Sequence, residues 1–147
     1  MKIGLWFWNL RMVKSATKDD IPRIVAMMWE FHASAEQPQE FIESDAAAFV
    51  SELIQNQRAI VMVSENGFIA GFMAQSPVNI GWNVCFELYW WAKDGKGDAL
   101  AKKFMKTALE FGANEIRFSY RPNTPKIGKH LERMGYVRDE ICYRKVF

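Results

Sequence analysis

The sequence predicts an α+β domain: a mixed, largely antiparallel sheet with helices on both faces. Three observations point there. Apolar residues recur at helical spacing in some segments and as short strand-like runs in others, in the order β-α-α-β-β-β-loop-α-β-α-β-β. Glu65-Asn66-Gly67 joins two apolar runs as a hairpin signal. A long aromatic run, a glycine-rich loop, a helical pattern and a further strand then form one crossover unit.

Each element has a local cause. Val13–Ala16 reads as a short strand. Thr17-Lys-Asp-Asp20 resembles a capping box with Asp in place of Glu, and it opens a helix with Pro22 in the first turn. Ile21, Ile24, Val25, Met28, Trp29 and His32 recur at helical spacing and mark the expected buried face. Gln37-Pro-Gln ends that helix. A second helix is expected from Ser44 to Gln55, with Phe49, Leu53 and Ile54 inward. Ala59–Ser64 and Phe68–Gln75 flank the hairpin turn, where Asn-Gly tolerates positive φ. Trp82–Ala92 is a long strand of large residues. A helix follows over 98–111, with Leu100, Phe104, Ala108 and Leu109 on one face and Gly112 as its C-cap. Glu115–Tyr120 reads as a strand stopped by Pro122. Pro125–Met134 reads as a short helix closed by Gly135. Tyr136–Asp139 and Ile141–Phe147 read as a closing hairpin.

The chain has 147 residues, half of them apolar and 14% aromatic, which suits one domain with a sizeable core. The expected division is an N-terminal extension over 1–12 and a single domain over 13–147. No apolar run approaches the roughly 20 residues of a membrane helix, and no leader pattern opens the chain, so a cytoplasmic protein with no membrane partner is expected. Cys85 and Cys142 fit reduced, partly buried thiols rather than a disulfide framework or a metal set. Net charge is +2, yet residues 93–147 carry thirteen basic and seven acidic side chains. That balance suits either a solvated basic surface or an anionic ligand. It forms no obvious stripe, so nucleic acid ranks last among partners.

The chemistry concentrates in WWAKDGKGDALAKKF, residues 90–104. A strand ends, Gly95-Lys96-Gly97 turns, and a helix begins at Asp98. Unsatisfied N–H groups and the helix dipole favour an anion there. The glycines permit close backbone approach, and Lys93 and Lys96 add full charges. The pattern fits a phosphate or pyrophosphate site. It is neither a P-loop nor a dinucleotide fingerprint, because Gly-Lys-Ser/Thr and the third glycine are missing. A tight turn that simply needs glycine is the plain alternative.

From Val13 onward the chain resembles the GNAT superfamily of acyl-coenzyme A-dependent N-acetyltransferases. Val13-Lys-Ser-Ala-Thr-Lys-Asp-Asp-Ile-Pro is similar to that family's opening strand and helix start. Gly95-Lys-Gly97-Asp-Ala99-Leu100 resembles its pyrophosphate loop, and His130-Leu-Glu-Arg-Met-Gly135-Tyr136 its closing helix and Gly-Phe/Tyr turn. The paired tryptophans and small size resemble members encoded by bacteriophages. The resemblance implies acetyl-CoA as co-substrate and a primary amine as acceptor. It implies that Gly95, Lys96, Gly97, Asp98 and Ala99 offer N–H groups to the pyrophosphate. Trp91 and Ala92 would lie along the pantetheine arm, and Asn123 and Lys126 near its end or near the ribose phosphate. Glu87 matches a glutamate that acts as general base in some histone-acetylating members. An amine must lose a proton before attacking a thioester.

Two positions depart from the family pattern. Asp94 stands in a shortened loop where Gln or Arg is expected, and Leu131 stands where many members place a proton-donating Tyr. Tyr136, His130 or bound water would then protonate the thiolate, or the step would go unassisted. Strand alternation expects Glu87 to face with Tyr89 and Trp91, as a solvent-facing or paired carboxylate or as a base. His32 reads as half-buried core, His130 as surface or capping, and Lys102, Lys103 and Lys106 as a solvated face. The Ile3–Leu10 patch reads as an unstructured extension, or as an element packed on an apolar groove in a homodimer. A GNAT-like domain that binds acyl-CoA or a protein without catalysis is the alternative function.

Overall fold

A computed structural model describes residues 12–147. The extension expected over 1–12, with its Ile3–Leu10 patch, therefore lies outside the described residues except for Met12.

Five strands form one sheet in the order β1-β2-β3-β4-β5. They are β1 (Lys14–Ser15), β2 (Ala59–Val63), β3 (Gly67–Ser76), β4 (Asn79–Ala92) and β5 (Glu115–Arg117). All neighbours are antiparallel except β4 and β5, which run parallel across the single crossover. The helices are α1 (Ile21–Ser34), α2 (Glu43–Gln55), α3 (Asp98–Glu110) and α4 (Pro125–Arg133). The α+β class, with a largely antiparallel mixed sheet and helices on both faces, is thus as expected.

The sheet separates two cores. On one face α1 and α2 bury Ile24, Val25, Met27, Met28, Ala46, Val50 and Leu53 against Val61, Val63, Phe68 and Ala70. On the other, α3 presses Leu100, Ala101, Phe104 and Ala108 onto Ile60, Met62, Ile69, Met73 and Cys85. Gly71 makes the second contact possible. A Cβ there would stand 2.6 Å from the Phe104 ring and 2.4 Å from the Phe86 carbonyl.

The start of α1 follows the sequence signal. The Thr17 N–H donates to Asp20 Oδ2 at 2.9 Å, across a 3₁₀ turn, Lys18–Asp20, that precedes the helix. Asp20 is buried and also holds Lys14 at 2.9 Å and Arg23 at 2.7 Å. Burial alone would raise its carboxyl. The Thr17 hydrogen bond and the two cations outweigh that and hold it well below the usual carboxylate range.

Several expectations need correction. Trp29 is exposed and Met27 takes its place inward, so the apolar stripe of α1 is rotated. Phe49 is partly exposed, and α2 packs through Ala46 and Val50 as well as Leu53. The hairpin turn at Asn66-Gly67 uses no positive φ. Gly67 is required by space instead, since a Cβ would lie 2.6 Å from the Trp91 carbonyl and 2.8 Å from Leu100. The expected glycine conformation does hold at Gly112 (φ +89°) and Gly135 (φ +92°). β5 ends at Arg117 rather than Tyr120, because only Val84, Cys85 and Phe86 of β4 pair with it. The closing hairpin is also absent: neither 136–139 nor 141–147 joins a ladder among the described residues. Alternation alone supplies strand pattern, but a strand needs a partner edge. Of the two thiols, Cys85 is buried and Cys142 is exposed.

Candidate active site

The site lies where β4 outruns β5. Ladder pairing stops at Phe86–Arg117, while β4 continues to Ala92. Among the described residues the outer edge of β4 has no strand neighbour from Glu87 onward, so the sheet opens into a wedge. An extended, amide-bearing ligand can hydrogen-bond to such an edge.

Glu87 sits at the apex. The Ser119 N–H donates to its Oε2 at 3.1 Å, and the Ser119 hydroxyl lies at 3.5 Å. A carboxylate thus receives the Ser119 N–H just beyond the last ladder pair. Burial pushes the Glu87 carboxyl up to about 7, with the Ser119 bonds opposing only in part. That value suits a group that takes a proton near neutrality.

The expected facing of Glu87 is corrected. The β3–β4 register shifts between Ala70 and Gly71, so that Ala70 pairs with Tyr89 and Gly71 with Glu87. Leu88 is the extra residue of a bulge. Glu87 therefore shares the α3 side with Gly71. Leu88, Tyr89 and Trp91 pack against the α1–α2 core instead. The Trp91 indole donates to Glu30 Oε2 at 3.3 Å, and Lys93 Nζ lies 3.3 Å from Glu30 Oε1. Trp91 and Lys93 thus fix the end of β4 to α1 by their side chains.

The loop after Ala92 is built on Trp90. Its indole N–H donates to the Gly97 carbonyl at 3.0 Å. A Cβ at Gly97 would stand 2.7 Å from that indole nitrogen, so only glycine fits. Gly95 has φ +69° with open space around its α-carbon. Gly97 is the N-cap of α3 and has no side chain to cap it; the helix opens with Asp98 and Ala99. Three loop donors are occupied: the Lys96 N–H donates to Asp94 Oδ1 at 2.9 Å, the Gly95 N–H to the Ala92 carbonyl at 3.2 Å and the Lys93 N–H to the Asn66 carbonyl at 2.8 Å. The acidic intruder thus folds back onto its own loop. The uncapped helix end, the glycine opening and the Lys96 side chain fit a pyrophosphate.

Asp98 points sideways. It accepts from Lys102 at 2.8 Å and pairs with His130 Nε2 at 2.9 Å. Burial would raise Asp98, but Lys102 and His130 together hold it below its ordinary value. His130 thereby clamps α4 to the loop end of α3, a role its sequence position does not reveal. Asn123 and Lys126 are exposed, at the turn before α4 and in its first turn.

Tyr136 is half-buried, with its ring edge-on to Phe118 at 5.3 Å. Burial, with the neighbouring Cys85, pushes its hydroxyl up to about 12, so it stays protonated near neutrality. Leu131 is buried and acts in packing only. Two further residues join the wedge. Ser119 is the partner of Glu87, and Arg121 keeps a buried Nε without a hydrogen-bond partner among the described residues. Arg121 also bears on Tyr89, whose hydroxyl burial raises and whose shift that cation opposes. Neither residue has a signal in the sequence, because each acts across the chain.

Elsewhere the structure offers less. A cavity of about 300 Å³, lined by Gln57, Arg58, Met73, Ala74, Asn83 and Phe111, lies at the far end of β4. Among the described residues no metal-ligand cluster forms, and no helix is long and apolar enough to cross a membrane.

No family model and no curated protein matches the sequence. Solved structures do match in fold. A chain described as a probable acetyltransferase superposes with TM-score 0.74 at 13% identity, over 92% of this chain and 95% of that one. An aminoglycoside acetyltransferase from an uncultured soil metagenomic sample gives 0.69 at 12% identity, over 92% and 93%. A ribosomal-protein-alanine N-acetyltransferase from Brucella melitensis biovar Abortus 2308 gives 0.66 at 16% identity, over 92% and 97%. With the split sheet, the bulged β4 and the glycine loop before α3, this chain has the fold of the GNAT-type acetyltransferases.

Proposed function

We propose that this protein transfers an acetyl group from acetyl-CoA to a primary amine of a small molecule or a protein. The observation that carries this reading is Glu87: a carboxyl raised to about 7, at the apex of the wedge between β4 and β5. Bound acetyl-CoA supplies an activated acyl group. The backbone N–H groups of Gly97, Asp98 and Ala99 hold its pyrophosphate, Gly95 leaves room for it, and the side chains of Lys93 and Lys96 lie nearby. The edge at Trp91 and Ala92 pairs with its pantetheine arm, and Asn123 and Lys126 border its far side. Glu87, directly or through a water, takes a proton from the ammonium form of the acceptor. Tyr136 holds the proton that the departing thiolate needs. Holding both substrates in line supplies much of the rate.

The acceptor is taken as an amine because the named neighbours act on aminoglycosides and on a ribosomal-protein alanine. Calorimetry with acetyl-CoA tests the binding half of the reading, and thiol release with an amine panel tests the chemistry. Absence of binding at millimolar ligand would sink it.

A second reading has its own support. Leu131 cannot donate a proton, and Asp94 occupies the Lys96 N–H. Both favour a GNAT-like module that binds acyl-CoA or a protein without turnover. Thioester turnover with any amine excludes it.

A further inference from the structure

We infer that the last eleven residues, Val137–Phe147, pair antiparallel with the same segment of a second copy, across a two-fold axis through Cys142.

Three observations carry this, and none depends on the proposed activity. First, the segment has strand chemistry without a strand. Val137 is 85% exposed, Ile141 66%, Tyr143 90% and Phe147 104%. In an extended chain these odd-numbered residues share one face. Among the described residues, no backbone hydrogen bond reaches this segment from another part of the chain. Such a row of free donors and acceptors beside uncovered apolar side chains is a template for another strand.

Second, the segment is complementary to itself in one register. With Cys142 opposite Cys142, Ile141 faces Tyr143 and Val137 faces Phe147. Glu140 faces Arg144, and Asp139 faces Lys145. The two-fold repeats each of these pairs, so that of ten off-axis pairs four are attractive charge pairs and four are apolar, the remaining two being Arg138 opposite Val146. Other registers break the match. Moving the axis to Ile141 sets Arg138 opposite Arg144, and moving it to Tyr143 sets Ile141 opposite Lys145.

Third, the present partners of these charges are loose, and further apolar surface lies alongside. Asp139 and Glu140 reach Arg117 only at 3.8 Å and 3.5 Å, whereas Arg117 holds Glu115 at 2.6 Å. Arg144 reaches Gln37 at 3.5 Å, Arg138 reaches the Tyr120 hydroxyl at 3.3 Å, and Lys145 lies over the Phe147 ring. Glu115 also accepts from the Trp82 indole. Exposed Trp82, joined through Glu115 to the Arg117 that holds Asp139 and Glu140, therefore lies beside the segment and extends what a second copy can cover. A two-stranded ribbon alone is marginal, so this added surface matters.

The test uses the full chain in two measurements. Sedimentation velocity under reducing conditions reads the monomer–dimer equilibrium, with the weight-average mass expected to rise with concentration from 17.1 kDa toward twice that value. Mild oxidation with diamide, followed by peptide mapping, is expected to give a Cys142–Cys142 disulfide, since opposed strand residues lie within disulfide reach. Glu140→Arg or Arg144→Glu alone should weaken the dimer about tenfold, because each places two like-charge pairs across the axis. The double swap should restore it. A chain that stays monomeric, including one whose segment folds back on its own β5, overturns the inference. So does a dimer that single charge reversal leaves intact, or one that yields no Cys142 cross-link.

Discussion

Replacing Glu87 with Gln gives the sharpest test of the wedge, because stability and activity should move in opposite directions. Gln keeps the shape and keeps an oxygen to accept the Ser119 N–H, but it never ionises. Raising a carboxyl from 4.5 to about 7 corresponds to roughly 3 kcal/mol against its charged form. Glu87 is half-buried at the apex of the wedge, so water screens part of this and about 1–3 kcal/mol remains. The folded-state value lies above the unfolded one. Stability is therefore complete below the ordinary 4.5 and is lost as pH rises through about 7. Glu87→Gln should thus be more stable than the parent by about 1–3 kcal/mol near pH 8 and equal to it near pH 4.5, measured by urea unfolding. If Glu87 is the base, the same substitution lowers acetyl transfer by about 10²–10⁴-fold and removes the rise of rate through neutrality. An identical stability difference at both pH values would refute the argument, since it would mean that the site does not disfavour the charge.

Three further substitutions probe the surroundings. Gly97→Ala drives a methyl to 2.7 Å from the Trp90 indole nitrogen. It should cost about 1–3 kcal/mol in urea unfolding, with partial recovery when Trp90→Phe is added. Asp94→Ala frees the Lys96 N–H and removes a negative charge from the loop, so calorimetry should show acetyl-CoA binding about three- to tenfold tighter. Asp20→Ala removes a buried carboxylate whose partners, Lys14 and Arg23, can turn to solvent, for a loss of about 1–3 kcal/mol. Because the Asp20 carboxyl is held below its ordinary 3.8, that contribution is present above this value and fades as pH falls beneath it. The gap between parent and Asp20→Ala should therefore close in acid titrations of unfolding.

What was legible in the sequence was largely local. The Thr17–Asp20 capping signal, the hairpin at Asn66-Gly67, the glycine loop at 95–97 and the stops at Gly112 and Gly135 are each written within a few residues, and each appears where expected. What was missed depends on partners distant in sequence. The Leu88 bulge is set by the register against Ala70 and Gly71, and it reverses the face that alternation gives Glu87. Ser119 and His130 acquire roles only because β5 and α4 come to lie beside β4 and α3. Trp29 looks inward by hydrophobicity, yet the packing of α1 on the sheet selects Met27. The C-terminal segment has the composition of a hairpin, but pairing is a property of two edges, and one chain need not supply both.

The unequal ladders of the sheet have a mechanical consequence. Ten residue pairs tie β3 to β4, and three tie β4 to β5. Amide exchange should therefore be slow in β3 and the paired stretch of β4, and much faster in β5 and the chain beyond it. A ligand lying along the outer edge of β4 would act as a splint across the weak seam. It would slow exchange on the β5 side more than in the strands that were already rigid.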